Sequence, residues 1–179
     1  IGVSYYPQGE DIDADQLLRQ ADQAMYFAKQ AGKNRYHVFD TEKDCTLRTR
    51  HEGFDSIENA LANGQFLLYY QPKVNMRTGE VLGAEALIRW QHPTRGLLSP
   101  ASFIPIIENH PLGIDVGKWT IEAALTQIEV WRKAGLHVPI SVNIGARHLL
   151  QPDFIMHLRG MLSRHPGARP QDLELEILE

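Results

Sequence analysis

Cysteine is nearly absent, with Cys45 standing alone in 179 residues. A lone cysteine excludes an intrachain disulfide framework and accords with a reducing compartment such as the cytoplasm. There is no close cluster of histidine and cysteine at ligand spacing, which leaves no case for a structural zinc. Long hydrophobic runs are also missing. No stretch approaches the roughly 18 apolar residues of a membrane span, and no basic leader precedes an apolar segment, so the segment reads as neither spanning nor targeted. Excess positive charge is lacking too: 18 Lys and Arg against 22 Asp and Glu leave a formal net charge of −4. Duplex nucleic acid is therefore a poor partner, although a few local cations could still hold a small phosphate ligand. With 43% hydrophobic residues and 22% charged, the composition is that of a globular chain of one or two domains. The first residues, IGVSYYP, open without methionine or polar lead, and the last, DLELEILE, stop inside a strand-like run. Both edges read as cuts within a longer parent.

What is present is an ordered alternation of patterns. After IGVSYYP and an acidic turn, Leu17, Leu18, Ala21, Ala24, Met25 and Ala28 recur at helical spacing. Asp13 and Gln16 fit a capping box, Gly32 fits the stop, and Lys29 and Lys33 suit the negative end of the helix dipole. A strand RYHVFD (35–40) follows. Residues 41–64 are charged with a sparse apolar seam, predicting a linker helix broken or bent near Gly53. Beyond it, QFLLYYQP and EVLGAEALIRW flank a turn ending in Thr78 and Gly79, which predicts an antiparallel pair. A short helix in PASFIPIIE, a longer one over about 115–134, strand VPISVNI, helix DFIMHLRGMLSRH and strand LELEILE complete an α/β order with a mainly parallel sheet. Only 114 residues follow Gln65, whereas a closed (β/α)₈ barrel takes roughly 250. A barrel would be about half present.

Three strands carry polar groups among apolar ones. Alternation puts Glu85, Leu87 and Arg89 on one face of AEALIRW, Ser141 and Asn143 on one face of SVNIG, and Glu174 and Glu176 on one face of LELEILE. A carboxylate placed in such surroundings must be paired, hydrogen-bonded or metal-bound. Glu85, Asn143 and Glu176 offer the carboxylate and amide oxygens that Mg²⁺ or Mn²⁺ prefers. Arg89 lies about 13 Å beyond Glu85 along an extended strand, so its planar fork suits a phosphate or another strand's acid. Plain alternatives stand beside this: Glu85 and Arg89 as members of an internal ion-pair network, Asn143 as a loop tie, and Glu174, Glu176 and Glu179 as surface charges on an edge strand. His92 reads as a loop hydrogen-bonding residue.

The ordered set YYQP, AEALIRWQHP, GLLSPASFIPIIE, SVNIGARHLL and LELEILE, over roughly 62–179, resembles the start of the EAL family of cyclic di-GMP phosphodiesterases. The resemblance implies the N-terminal part of a modified TIM barrel whose first strand is antiparallel, and hydrolysis of cyclic di-GMP to linear pGpG with Mg²⁺ or Mn²⁺ in the intact parent. It implies Glu85, Asn143 and Glu176 as metal ligands, Arg89 as a phosphate contact, Gln71 near the nucleotide and Glu179 as a supporting acid, with Leu178 where threonine is usual. The family's later aspartates, lysine and glutamate would lie beyond Glu179, so this chain alone is expected to be inactive. The front piece, through ADQLLRQADQAMYFAKQAGKNRYHVFD, resembles the C-terminal end of a GGDEF domain, with Lys29 and Lys33 at its basic positions but no GGDEF signature. The expected layout is 1–40 GGDEF fragment, 41–61 linker helix and 62–179 EAL part. An inactive cyclic di-GMP sensor and a regulatory interaction module are the alternatives. The expected setting is the cytoplasm, with attachment of the parent to the inner membrane and homodimer formation both left open.

Overall fold

The computed structural model describes residues 1–8 and 12–178, with the side chains of 41–51 and 178 outside the description. It divides into two compact units, Ile1–Glu52 and Gly53–Glu179. In the first, β1 (Gly2–Val3) and β2 (His37–Val38) pair in parallel, which requires the crossover helix α1 (Ala14–Gln30) between them. Both strands are shorter than their sequence patterns suggest. The α1 start is the expected capping box: Gln16 N donates to Asp13 Oδ1 at 2.7 Å, and Asp13 N donates to Gln16 Oε1 at 3.2 Å. Ala24 and Ala28 are its buried positions. At Gly2 a Cβ would collide with the backbone of Ala21 and Met25, so only glycine lets the strand approach α1 this closely. Gly32, at φ +104°, ends the helix as expected.

Helix α2 (Thr41–Ala62) runs through Gly53 without the expected break. Ile57 and Ala60 are its fully buried residues in the second unit. There β3 (Phe66–Val74) and β4 (Val81–His92) form the antiparallel hairpin, with Asn75 Oδ1 accepting from the amides of Arg77 and Thr78, and Gly79 at φ +74° closing the turn. A short β5 (Gly96–Leu98) folds back on the end of β4. Helices α3 (Ile104–Ile107) and α4 (Leu112–Lys133) lead to β6 (Ile140–Gly145). Helices α5 (Ala146–Leu149) and α6 (Phe154–Arg164) then lead to β7 (Leu173–Leu178). The sheet order is β3-β4-β6-β7, with β4, β6 and β7 parallel. It is an unclosed, barrel-like sheet with its first strand reversed.

Alternation sorts the two faces. Ala86, Ile140, Val142 and Ile144 pack against Ile121, Ala124, Leu125 and Ile128 of α4 and against Phe154 and Met161 of α6. A second cluster gathers Ile57, Phe66, Trp90, Phe103, Ile107 and Val116. Trp119 and Trp131 of α4 are partly buried and pack at the cluster margins. With the apolar residues turned toward the helices, the same strands must present Glu85, Ser141, Asn143 and Glu176 on the other face.

Candidate metal and phosphate site

Register builds the site. Gln71 pairs with Glu85, Glu85 with Ser141, and Ser141 with Glu174, giving one polar row across the strands. One step further along, Asn143 is the partner of Glu176. The structure thus brings Gln71, Glu85, Asn143 and Glu176 onto one face. Glu179 lies outside the described residues.

Asn143 Nδ2 donates to Glu85 Oε1 at 2.8 Å, a bond that aims both side chains at the same spot. It leaves Asn143 Oδ1 and Glu85 Oε2 without a partner among the described residues. Ser141, completely buried and paired in the register with Glu85 and Glu174, has a hydroxyl without a hydrogen-bond partner among the described residues. Glu176 Oε1 accepts from Lys73 Nζ at 2.6 Å, and the same ammonium donates to Glu174 Oε2 at 3.3 Å. The Lys73 bond holds the Glu176 carboxyl below its ordinary pKa; the nearby Ser141 hydroxyl adds to this without a hydrogen bond of regular geometry. Reciprocally, Glu176 raises Lys73.

Among the described residues Arg89 belongs to no ion-pair network. Among the described residues no carboxylate lies within ion-pair distance; its Nη1 donates to the Ile88 carbonyl at 2.9 Å, and its guanidinium lies 5.7 Å from the Tyr69 ring centre. Most of its donors remain available on the Glu85 face. His92 Nδ1 serves the amides of Thr94 and Arg95, the loop role expected of it.

The donor set suits an oxygen-seeking divalent cation: two carboxylates, an amide with its oxygen unused, and an unsatisfied buried hydroxyl share one face. It is an incomplete set. Among the described residues, no group of three or more His, Cys, Asp and Glu side chains could hold an ion. Lys73 and Ser141 escaped the sequence reading as site residues. The signal was available: Lys73 lies two residues beyond Gln71, hence on its face, and Ser141 shares that of Asn143.

The EAL domain description matches residues 55–179 of this chain. The chain belongs to the EAL-domain family. Its first 35 residues match the diguanylate cyclase, GGDEF domain description. The fold is therefore a partial EAL-type barrel preceded by a GGDEF-like segment. The EAL chain is 34% identical over 181 residues to the bifunctional diguanylate cyclase/cyclic di-GMP phosphodiesterase MucR of Pseudomonas aeruginosa, covering 100% of this chain and 26% of that protein. It is 35% identical over 162 residues to the cyclic di-GMP phosphodiesterase PdeR of Escherichia coli, covering 90% and 24%. This chain thus spans about a quarter of the length of these curated relatives. Among solved structures, the MucR phosphodiesterase in complex with c-di-GMP superposes with a TM-score of 0.66 at 34% identity, over 69% of this chain and 50% of that one. The EAL enzyme Bd1971, with cAMP and cyclic di-GMP bound, gives 0.68 at 28% identity, over 93% and 44%.

Proposed function

We propose that residues 62–179 are the N-terminal part of a cyclic di-GMP phosphodiesterase domain, reached through a linker helix at 41–61 from a GGDEF fragment at 1–40. In the intact parent, this domain hydrolyses one phosphodiester of cyclic di-GMP to linear pGpG. The observation that carries the reading is the convergence of Glu85, Asn143 and Glu176 on one face, with Arg89 unpaired by any described acid on that same face. The activities of MucR and PdeR, and the ligand of the MucR complex, support it.

Glu85, Asn143 and Glu176 would hold Mg²⁺ or Mn²⁺, with Glu179 as a supporting acid. When bound, such an ion supplies Lewis acidity that polarises a phosphoryl oxygen and acidifies a water. The chain's own contribution is placement. The Asn143 to Glu85 bond orients both donors before a ligand arrives, Arg89 offers a planar fork to the diester, and Gln71 borders the nucleotide. A cytoplasmic setting belongs to the same proposal. No helix among the described residues is long and apolar enough to cross a membrane.

The test is product analysis after incubating the intact parent with cyclic di-GMP and either cation. Linear pGpG, lost in Glu85→Ala, is expected. A folded protein that leaves the dinucleotide intact overturns the enzymatic reading. A second reading is a sensor that binds cyclic di-GMP and relays its occupancy through 41–61, a reading that the Lys73 ammonium already bonded to Glu176 would favour. Saturable binding without turnover would select it.

A further inference from the structure

We propose that Lys73 is a built-in counter-ion for Glu176 and Glu174 which a divalent cation must displace, so that this lysine sets the cation affinity of the site. The inference rests on the metal-binding role given to Glu176 above.

Lys73 sits on β3 and the two glutamates on β7, with β4 and β6 between them. Three strand spacings of roughly 4.8 Å separate β3 from β7, yet Lys73 Nζ lies 2.6 Å from Glu176 Oε1 and 3.3 Å from Glu174 Oε2. A lysine can close that gap only by lying across the intervening strands on a concave face. The neighbouring strand leaves the route open. Lys73 faces Gly83 in the register, and a Cβ built on Gly83 would stand 3.8 Å from Lys73 Cδ, so the lysine stem passes over a position that has no side chain.

The ammonium is a monovalent occupant of the acidic side of the site. Its bond to Glu176 neutralises the carboxylate that would ligate the metal, and a doubly charged ion arriving within a few ångströms is repelled by it. Cation binding therefore requires Lys73 to swing away, toward solvent or toward an anionic ligand. The side chains of Lys73 and Glu176 are each 39% exposed, which leaves that movement sterically open and the pair partly screened.

The test measures Mn²⁺ affinity of the intact parent by isothermal titration and by the electron paramagnetic resonance of free Mn²⁺, without nucleotide. Lys73→Met is expected to bind Mn²⁺ about threefold to tenfold more tightly, the modest gain suited to a half-exposed pair. Lys73→Arg should stay near the wild type, and added salt should narrow the difference. Lys73→Gln gives an independent charge removal should the methionine variant lose its fold, which circular dichroism reports. Unchanged or weaker Mn²⁺ binding by the folded neutral variants overturns the inference. So does unchanged Mn²⁺ affinity together with loss of cyclic di-GMP binding in EDTA, which would make Lys73 a phosphate contact. If the wild type binds no Mn²⁺, the metal role of Glu176 fails and this inference with it; if it binds and the neutral variants match it, only the role of Lys73 fails.

Discussion

Asp172 stands at the entry to β7, where a carboxylate only 7% exposed gathers two arginines. Arg132 Nη1 from α4 donates to Asp172 Oδ2 at 2.7 Å, Arg169 Nη2 donates to Oδ1 at 2.9 Å, and the Arg169 backbone amide donates to Oδ2 at 3.1 Å. These bonds tie the end of α4 to the start of the strand that carries Glu174 and Glu176. Asp172→Asn keeps the shape and removes the charge. Breaking a buried pair costs about 3–5 kcal/mol, but Arg132 and Arg169 are 25% and 51% exposed and can rehydrate. About 2–3 kcal/mol is therefore expected, equivalent to roughly 4–12 °C in Tm for a chain of this size. Trp90, Trp119 and Trp131 all lie in the second unit, so tryptophan fluorescence during urea unfolding reports this unit by itself. The pH dependence has a definite sign. The bond from Arg169, with the others behind it, holds the Asp172 carboxyl below its ordinary 3.8. Its contribution is thus fully present above that value and disappears as pH falls through the depressed folded value. The gap between wild type and Asp172→Asn should be constant from pH 7 to 5 and shrink below pH 4. A gap under about 0.5 kcal/mol at pH 7, the scale of an ordinary surface change, would refute the reasoning.

Leu125→Ala removes a fully buried side chain between α4 and the sheet and should cost about 2–5 kcal/mol in the same unfolding assay. Gly117→Ala places a methyl 2.5 Å from Nδ1 of the buried His148, and should cost about 1–3 kcal/mol of overpacking, measured by thermal melting. On the functional side, Arg89→Ala in the intact parent should weaken cyclic di-GMP binding at least about tenfold, the scale of a charge-assisted phosphate contact. Calorimetry in EDTA checks this, with unchanged Mn²⁺ affinity as the companion result.

Much of the second unit was legible before any coordinates. The hairpin was visible because Thr78 and Gly79 punctuate two strand patterns, and α4 because its apolar residues keep helical spacing up to Gly135. Elements without a local signature were missed. Three-residue β5 exists because Trp90, Gln91 and His92 offer it a pairing edge, and α5 is a single turn too short for any periodicity. Neither Gly53 nor its charged surroundings interrupts α2, since one glycine costs a helix only about 1 kcal/mol.

For the candidate site, period-two alternation was enough to place Glu85 with Arg89, Ser141 with Asn143, and Glu174 with Glu176 on common strand faces, because side-chain direction in a strand is a local property. Which strand lies beside which is not local. Only the parallel register of β4, β6 and β7 set Asn143 beside Glu176 and within reach of Glu85, and only the curl of the sheet delivered Lys73 from β3 to the acids of β7. The choice for Arg89 between ion pair and open fork was likewise tertiary. It depended on whether another strand brought an acid within reach, and among the described residues none does.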